Sequence, residues 1–369
     1  MNRMKLGEIL SVKHGWAFKG EYFAEDGEQS ILTPGNFFEK EGFKPNNGKE
    51  RYYTGTYPKE YLCHKGDLIV AMTQQAEGLL GSTALVPENN KYLHNQRIGL
   101  ITCDEKRLNK LFAYYLFMTK SVREQLERSS SGTKVKHTSP EKIYDVEVEI
   151  PDVISQQKIA NLLWAIDEKI ANNNAINDNL EQQMHLIFEN MMAKAATHKL
   201  SGEYTIAQNL ATVVTGKEDA NFSVPNGKYK FFTCSNTPLS CDEYVFDSSS
   251  ILIAGNGDFN VKHYSGKFNA YQRTYVLTPD KKYFGLLYLA SLYRINSFKS
   301  RSSGSIVKFI TKSDVENIPV FIPNDRFYLQ ELNKLIYLQE QNKLENELLV
   351  NLRDWLLPML MNGQATISD

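Results

Sequence analysis

Along residues 153–200 the apolar side chains recur in alternating steps of four and three: Ile159, Leu163, Ile166, Ile170, then Leu180, Met184, Ile187 and Met191. That spacing puts one seam along a helix and predicts a partner helix to cover it. Asn173 and Asn177 fall on the same seam. After Pro323 a second such stretch holds Leu335, Leu338, Leu349, Leu352, Leu356 and Met359, with Asn342 and Glu345 in its middle. Polar residues at mid-seam fix register and partner orientation at some cost in stability. Neither stretch has an interior Gly or Pro until Pro358, which is expected to end or kink the second helix. Two such helices pair most simply with each other.

Outside the helices the pattern changes to short apolar runs, LIV at 68–70 and ILIA at 251–254, bounded by Gly, Asn and Ser, which read as strands. These regions repeat. SGTKVKHTSPEKIYDVEVEIP (131–151) is answered 172 positions later by SGSIVKFITKSDVENIPVFIP (303–323). HNQRIGLI (94–101) resembles AYQRTYVL (270–277), LFAYYLFM (111–118) resembles FGLLYLAS (284–291), and GDLIVAMT (66–73) resembles SSILIAGN (249–256). The spacing between partners shrinks along the chain, as insertions in the loops of the first copy would make it. A period this long is a domain duplication, not a solenoid. Each copy runs from a mixed region through a short helix, a Gly loop and a strand ending in Ile-Pro to a long helix.

The expected fold is therefore α+β. Two tandem mixed α/β domains occupy 1–152 and 201–324. Two long helices, 153–200 and 325–369, form an antiparallel coiled coil with internal pseudo-two-fold symmetry.

Composition supports two real cores: 42% of residues are hydrophobic and 11% aromatic. No apolar run approaches the roughly 18 residues of a membrane helix, and the start MNRMKLGEIL has no signal-peptide core. Cys63, Cys103, Cys234 and Cys241 show no paired spacing and are expected as idle thiols in a reducing cytoplasm. The net charge of −1 excludes a histone-like polycation, so any nucleic-acid role needs locally clustered cations or partner subunits that carry part of the electrostatics.

Catalytic signatures are missing. There is no Walker loop, no Asn-Pro-Pro-aromatic motif, no Gly-rich turn for S-adenosylmethionine and no HExxH, and the seven histidines are scattered. GNGDFN (255–260) lacks the third glycine and the following helix of a dinucleotide site. Pro151-Asp152 with Asp167 and Lys169 imitates a nuclease pattern, but Asp167 and Lys169 stand two apart on the predicted helix and so on different faces. No metal site is expected.

The layout resembles the specificity (S) subunit of Type I restriction–modification systems. The resemblance is carried by Ile-Pro followed by SQQKIANLLWAIDEKIANNNAINDNLEQQ (155–183), by the ending LRDWLLPMLMNGQ (352–364), and by the Ser-Gly loop before each Ile-Pro strand. The chain departs from the family pattern in PDV at 151–153 and in the second helix, which reads YLQELNKLIYLQEQN. The resemblance implies a non-catalytic subunit that binds double-stranded DNA. Each globular unit would be a target recognition domain reading one half of a split, asymmetric site. The helices would act as spacers and dock two methyltransferase (M) subunits. Those carry S-adenosylmethionine and methylate adenine; restriction (R) subunits using ATP and Mg²⁺ join for cleavage. A rod of about 35–40 residues at 1.5 Å per residue is on the order of 55 Å long, roughly one and a half turns of duplex. The competing readings are a coiled-coil scaffold that binds only proteins, and a stand-alone nuclease.

On this reading the base-reading candidates lie in TQQAEGLLGS (73–82), where Gln74 and Gln75 suit adenine and Ser82 closes the loop. In the second copy they are Asn256, Asn260 and Lys262. Shared residues suit a shared task such as phosphate contact: Lys134, Lys136, Ser305 and Lys308 in the Gly loops, and Arg97 and Arg273 in the repeated Gln-Arg pairs. Gln157, Asp167, Lys169, Asn173, Asn177, Asn342 and Trp355 are the helix residues assigned to partner docking and register.

Overall fold

The computed structural model describes the chain except residues 40–41, 47, 75–77, 133–134, 258, 302–308 and 368–369, and gives only backbone for 298–301. Two compact units emerge: Met1–Lys169 with Leu349–Asp369, and Ile170–Leu348. The long helices Val153–Ala196 and Arg326–Met361 each contribute a segment to both.

Unit 1 centres on a four-stranded antiparallel sheet, in the order Leu10–His14, Ile98–Cys103, Leu68–Ala71, Thr83–Leu85. The run LIVA is apolar at every position because the sheet is covered on both faces. Successive side chains point to opposite faces. Leu68 and Val70 therefore join the core containing Phe112, Tyr115 and Leu163. Ile69 and Ala71 join a separate core with Leu32, Phe37 and Val86. The strand Asn2–Lys5 pairs antiparallel with the Ile-Pro strand Glu147–Ile150. Ile159 and Leu163 of the first long helix and Leu360 of the second pack into the larger core. Buried Gln156 clasps that helix to the domain: it donates to the carbonyls of Arg107 (3.0 Å) and Pro151 (2.9 Å) and accepts from the Asn109 N–H (2.8 Å).

Unit 2 repeats the scheme. Ala211–Thr215, Thr274–Pro279, Phe246–Ala254 and Val261–Ala270 follow one another in antiparallel order, extended by Tyr229–Phe232 and Leu239–Cys241. Gly202–Ile206 pairs with Pro319–Pro323. Ile251 and Ile253 face the core shared with both long helices, and Leu252 faces a second one with Phe268. Here Asn333 is the clasp, accepting from Gly285 N–H (2.8 Å) and donating to the Lys281 (3.1 Å) and Lys282 (2.9 Å) carbonyls. The mixed α/β units and the long helices expected from the repeat are thus present.

Within unit 2 the helices pair antiparallel through a polar zone. Asn173 donates to Glu345 Oε2 (2.7 Å) and Asn346 Oδ1 (2.9 Å); Asn342 donates to Asn177 Oδ1 (2.9 Å); Gln339 donates to Glu181 (2.9 Å). As the number rises on one helix it falls on the other. In unit 1 the pairing contact is Arg353 to Asp167 (2.8 Å). Ile159, Leu163, Ile166, Leu180, Met184 and Met191 are buried as their spacing predicts, and so are Asn173 and Asn177.

The second helix departs from its expected seam. Leu338 and Leu352 are 41% and 43% exposed, while Ile336 and Gln339 turn inward. A straight helix of 3.6 residues per turn rotates away from a strict heptad stripe, and the polar partners of Asn177 and Glu181 determine which residues face in. Nor does Pro358 end the helix, which runs on to Met361; proline removes one N–H bond and here does so in the last turns.

Candidate nucleic-acid interface

Three segments that recur in the sequence meet at one end of the central sheet in each unit. In unit 1, Thr73–Gln74 leaves the central strand and pairs antiparallel with Lys136–His137, Gln74 facing Lys136 and Thr73 facing His137. Thr73 Oγ1 and His137 Nδ1 lie 3.1 Å apart. Thr138 N–H donates to Met72 O (2.9 Å), and Met72 N–H donates to Arg97 O (3.1 Å). The Gly loop is closed by Ser131 and His137, each donating its N–H to the other's carbonyl. At Gly132, with φ +101°, a Cβ would sit 2.1 Å from the Val135 carbonyl oxygen, so only glycine fits.

Unit 2 makes the same bonds with different side chains. Asn256 bridges Phe309, Ile310 N–H donates to Gly255 O (2.7 Å), and Gly255 N–H donates to Arg273 O (2.8 Å). The segment after the central strand, the Gln-Arg pair and the end of the Gly loop are therefore one site per unit, held by backbone pairing that is indifferent to the side chains displayed.

The candidates separate once placed. Gln74 is half-buried and Arg97 exposed; in unit 2 Asn256 is half-buried and Arg273 exposed. Lys136 forms an ion pair with Glu127. Ser82 is a correction: its side chain is fully buried, donating to Glu39 O (2.7 Å) and accepting from Arg123 (3.1 Å), so it supports the loop from inside. Asn260 and Lys262 are also supports. Asn260 Nδ2 donates to Cys234 O (2.8 Å), and Lys262 donates to the carbonyls of Thr233 (3.4 Å) and Ser235. Burial pushes the Lys262 ammonium pKa down. Gln75, Lys134, Ser305 and Lys308 lie outside the described residues.

On the helices, Gln157 is exposed and accepts from Asn109 Nδ2 (2.6 Å); the neighbouring Gln156 is the buried clasp. Asp167 accepts from Tyr115 (2.6 Å) and from Arg353, while Lys169 is exposed. Asp152 caps its helix, accepting from the Ser155 N–H (3.0 Å) and hydroxyl (2.8 Å), and those bonds hold its carboxyl below the usual range. Asp152 and Asp167 are thus each engaged with different partners, and the nuclease imitation has no geometry behind it. Trp355 in unit 1 and Leu344 and Leu348 in unit 2 stand 60%, 53% and 62% exposed. Among the described residues no three of His, Cys, Asp and Glu are grouped as a metal ion needs, and no helix is long and apolar enough to cross a membrane.

Periodicity and repeats did not reveal Arg123. Its Nη1 donates to the carbonyls of Gly78 (3.0 Å) and Leu80 (2.9 Å), and its Nε to Phe117 O (2.7 Å), fastening the Gly78–Leu80 segment to the domain. No signal in the sequence singles it out, because the same helix also carries Lys120 and Arg128.

Comparison with known proteins agrees with this architecture. The model of the Type I restriction modification DNA specificity domain matches residues 1–182 and 210–351. The chain belongs to that family. It is 36% identical over 164 residues to the EcoDI specificity subunit of Escherichia coli, an alignment covering 42% of this chain but only 37% of that protein. It is 22% identical over 304 residues to the MjaIX specificity subunit of Methanocaldococcus jannaschii, covering 70% and 69% of the two chains. The crystal structure of a Type I S subunit from M. genitalium shares the fold, with TM-score 0.63 at 18% identity over 100% of this chain and 96% of that one.

Proposed function

We propose that the chain is the DNA-specificity subunit of a Type I restriction–modification complex, binding a split asymmetric target with one half-site per unit. The observation that carries this is the doubled site: identical backbone bonds in both units present unlike loops, Thr73–Gln74 beside Arg97 and Asn256 beside Arg273. A common frame with different readers suits two different half-sites on a duplex whose grooves recur with local two-fold symmetry. The long helices serve as spacer and docking surface for two methyltransferase subunits; the exposed Trp355 is an anchor of the kind such interfaces use, with Leu344 and Leu348 as further exposed apolar surface. S-adenosylmethionine, ATP and Mg²⁺ belong to the methyltransferase and restriction subunits, and this chain performs no chemistry. The test is to replace residues 201–322 with the same segment of a relative and sequence adenine methylation in the host. One half of the methylated motif should change and the other stay. A change in both halves would refute independent readers.

A further inference from the structure

Beside the doubled site, unit 1 carries a recess of about 430 Å³ that the repeat does not predict. Its lining includes the apolar side chains of Phe18, Phe23 and Ile31 beside the polar Thr33, Asn46, Asn95 and Gln96. Its rim carries Lys49, Arg51 and Arg97, all exposed, and no described residue lining it is acidic. None of the three cations has a carboxylate partner among the described residues, unlike Lys136 with Glu127. The recess adjoins the reading loop, since the Arg97 carbonyl accepts from Met72, next to Thr73. In a chain of net charge −1, three unpaired cations around one hollow are a local concentration of positive charge that composition conceals.

Unit 2 differs at the equivalent edge. In unit 1, Trp16 bridges Asn95 and its carbonyl accepts from Gln96 N–H (3.1 Å); in unit 2, Glu218 bridges Tyr271 and its carbonyl accepts from Gln272 N–H (2.9 Å). The backbone is the same, but an aromatic residue is replaced by an acid, which stands between Lys217 and Asp219.

We infer that the unit 1 recess grips a phosphodiester of the DNA backbone. The cations meet the phosphate oxygens and the phenyl rings take the apolar face of the deoxyribose. This rests on the DNA-reading proposal and adds to it a place in unit 1 where the backbone is held. Phosphate contacts position a protein without reading bases, so the recess contributes affinity and register, not sequence preference.

The test uses the full chain, purified with its methyltransferase subunits, and a duplex bearing the motif found by methylation sequencing. Affinity is measured against NaCl concentration for wild type, for Lys49→Gln/Arg51→Gln/Arg97→Gln, and for Lys334→Gln as a surface control. Losing the one phosphate held in the recess should make the slope of log K against log salt shallower by about 0.9 in the triple variant, while the control keeps the wild-type slope. The methylated motif should not change. If the wild type binds and the triple variant, shown folded by its unfolding curve, keeps the wild-type slope, the recess proposal fails while DNA reading stands. Altered bases in one half-site would also overturn it, because the cations would then be reading bases. If the wild type itself does not bind the duplex, DNA reading fails and the recess proposal with it.

Discussion

Replacing Arg353 by methionine removes one partner from a compact node in unit 1. Asp167 there accepts from Arg353 on one oxygen (2.8 Å) and from the Tyr115 hydroxyl on the other (2.6 Å), which ties both long helices to the short domain helix Lys110–Leu116. The ion-pair side chains keep only 13% and 18% of their exposure. Burial, then the Asp167 carboxylate, pushes the Tyr115 phenol pKa up, so the phenol remains a neutral donor. Removing one member of a buried pair costs about 3–5 kcal/mol because the other charge is left uncompensated. With some solvent remaining, Arg353→Met should fall at the low end, about 3 kcal/mol. Tyr115→Phe, which removes one hydrogen bond to a charged group, should cost about 2 kcal/mol. Adding Asp167→Leu to Arg353→Met should recover much of the first loss, since an apolar pair of similar volume avoids burying a lone charge. The assay is urea unfolding of Arg353→Met, Asp167→Leu and the double variant as a cycle, with Tyr115→Phe measured beside them. A loss below about 1 kcal/mol for Arg353→Met, or a double variant no more stable than the sum of its singles, would refute the reasoning.

Two further outcomes are expected. Burial pushes the His94 imidazole down from 6.5 to about 4, against the opposing bond to the Ile98 carbonyl (2.8 Å). The unfolded chain therefore takes up a proton that the folded one refuses: the stabilisation is present above about pH 6.5 and is lost as pH falls toward 4, roughly 2–3 kcal/mol by pH 4.5. His94→Gln should remove that part of the pH dependence of chemical unfolding, and an unchanged profile would contradict it. At Gly15 and Gly216 a Cβ would lie 2.1 Å from the carbonyl oxygens of Asn95 and Ala270, so alanine at either should lower unfolding stability by about 2–3 kcal/mol; a loss within error would mean the two chain segments part freely.

Much of the plan was legible in the sequence because its determinants are local. A helix buries one stripe, so Leu163, Leu180 and Met184 declare themselves by spacing. Central strands covered on both faces read as unbroken apolar runs, so LIVA and ILIA were visible as strands. Duplication showed itself as repeated text, and the family as its helix spelling.

The site itself came from tertiary structure. Gln74, Arg97 and Lys136 are far apart in sequence, and strand pairing alone brings them to one sheet end. That Ser82 faces inward, that Lys262 is held by backbone carbonyls, and that Arg123 fastens the Gly78–Leu80 segment are matters of packing with no periodic signal. The phase of the second helix was likewise set by its partner: Leu338 looks like a seam residue by spacing, but the hydrogen-bonding needs of Asn177 and Glu181 turn Gln339 inward instead. Spacing along one chain determines which residues share a face. Which face is buried depends on what packs against it, and buried polar groups that need partners can override the apolar stripe.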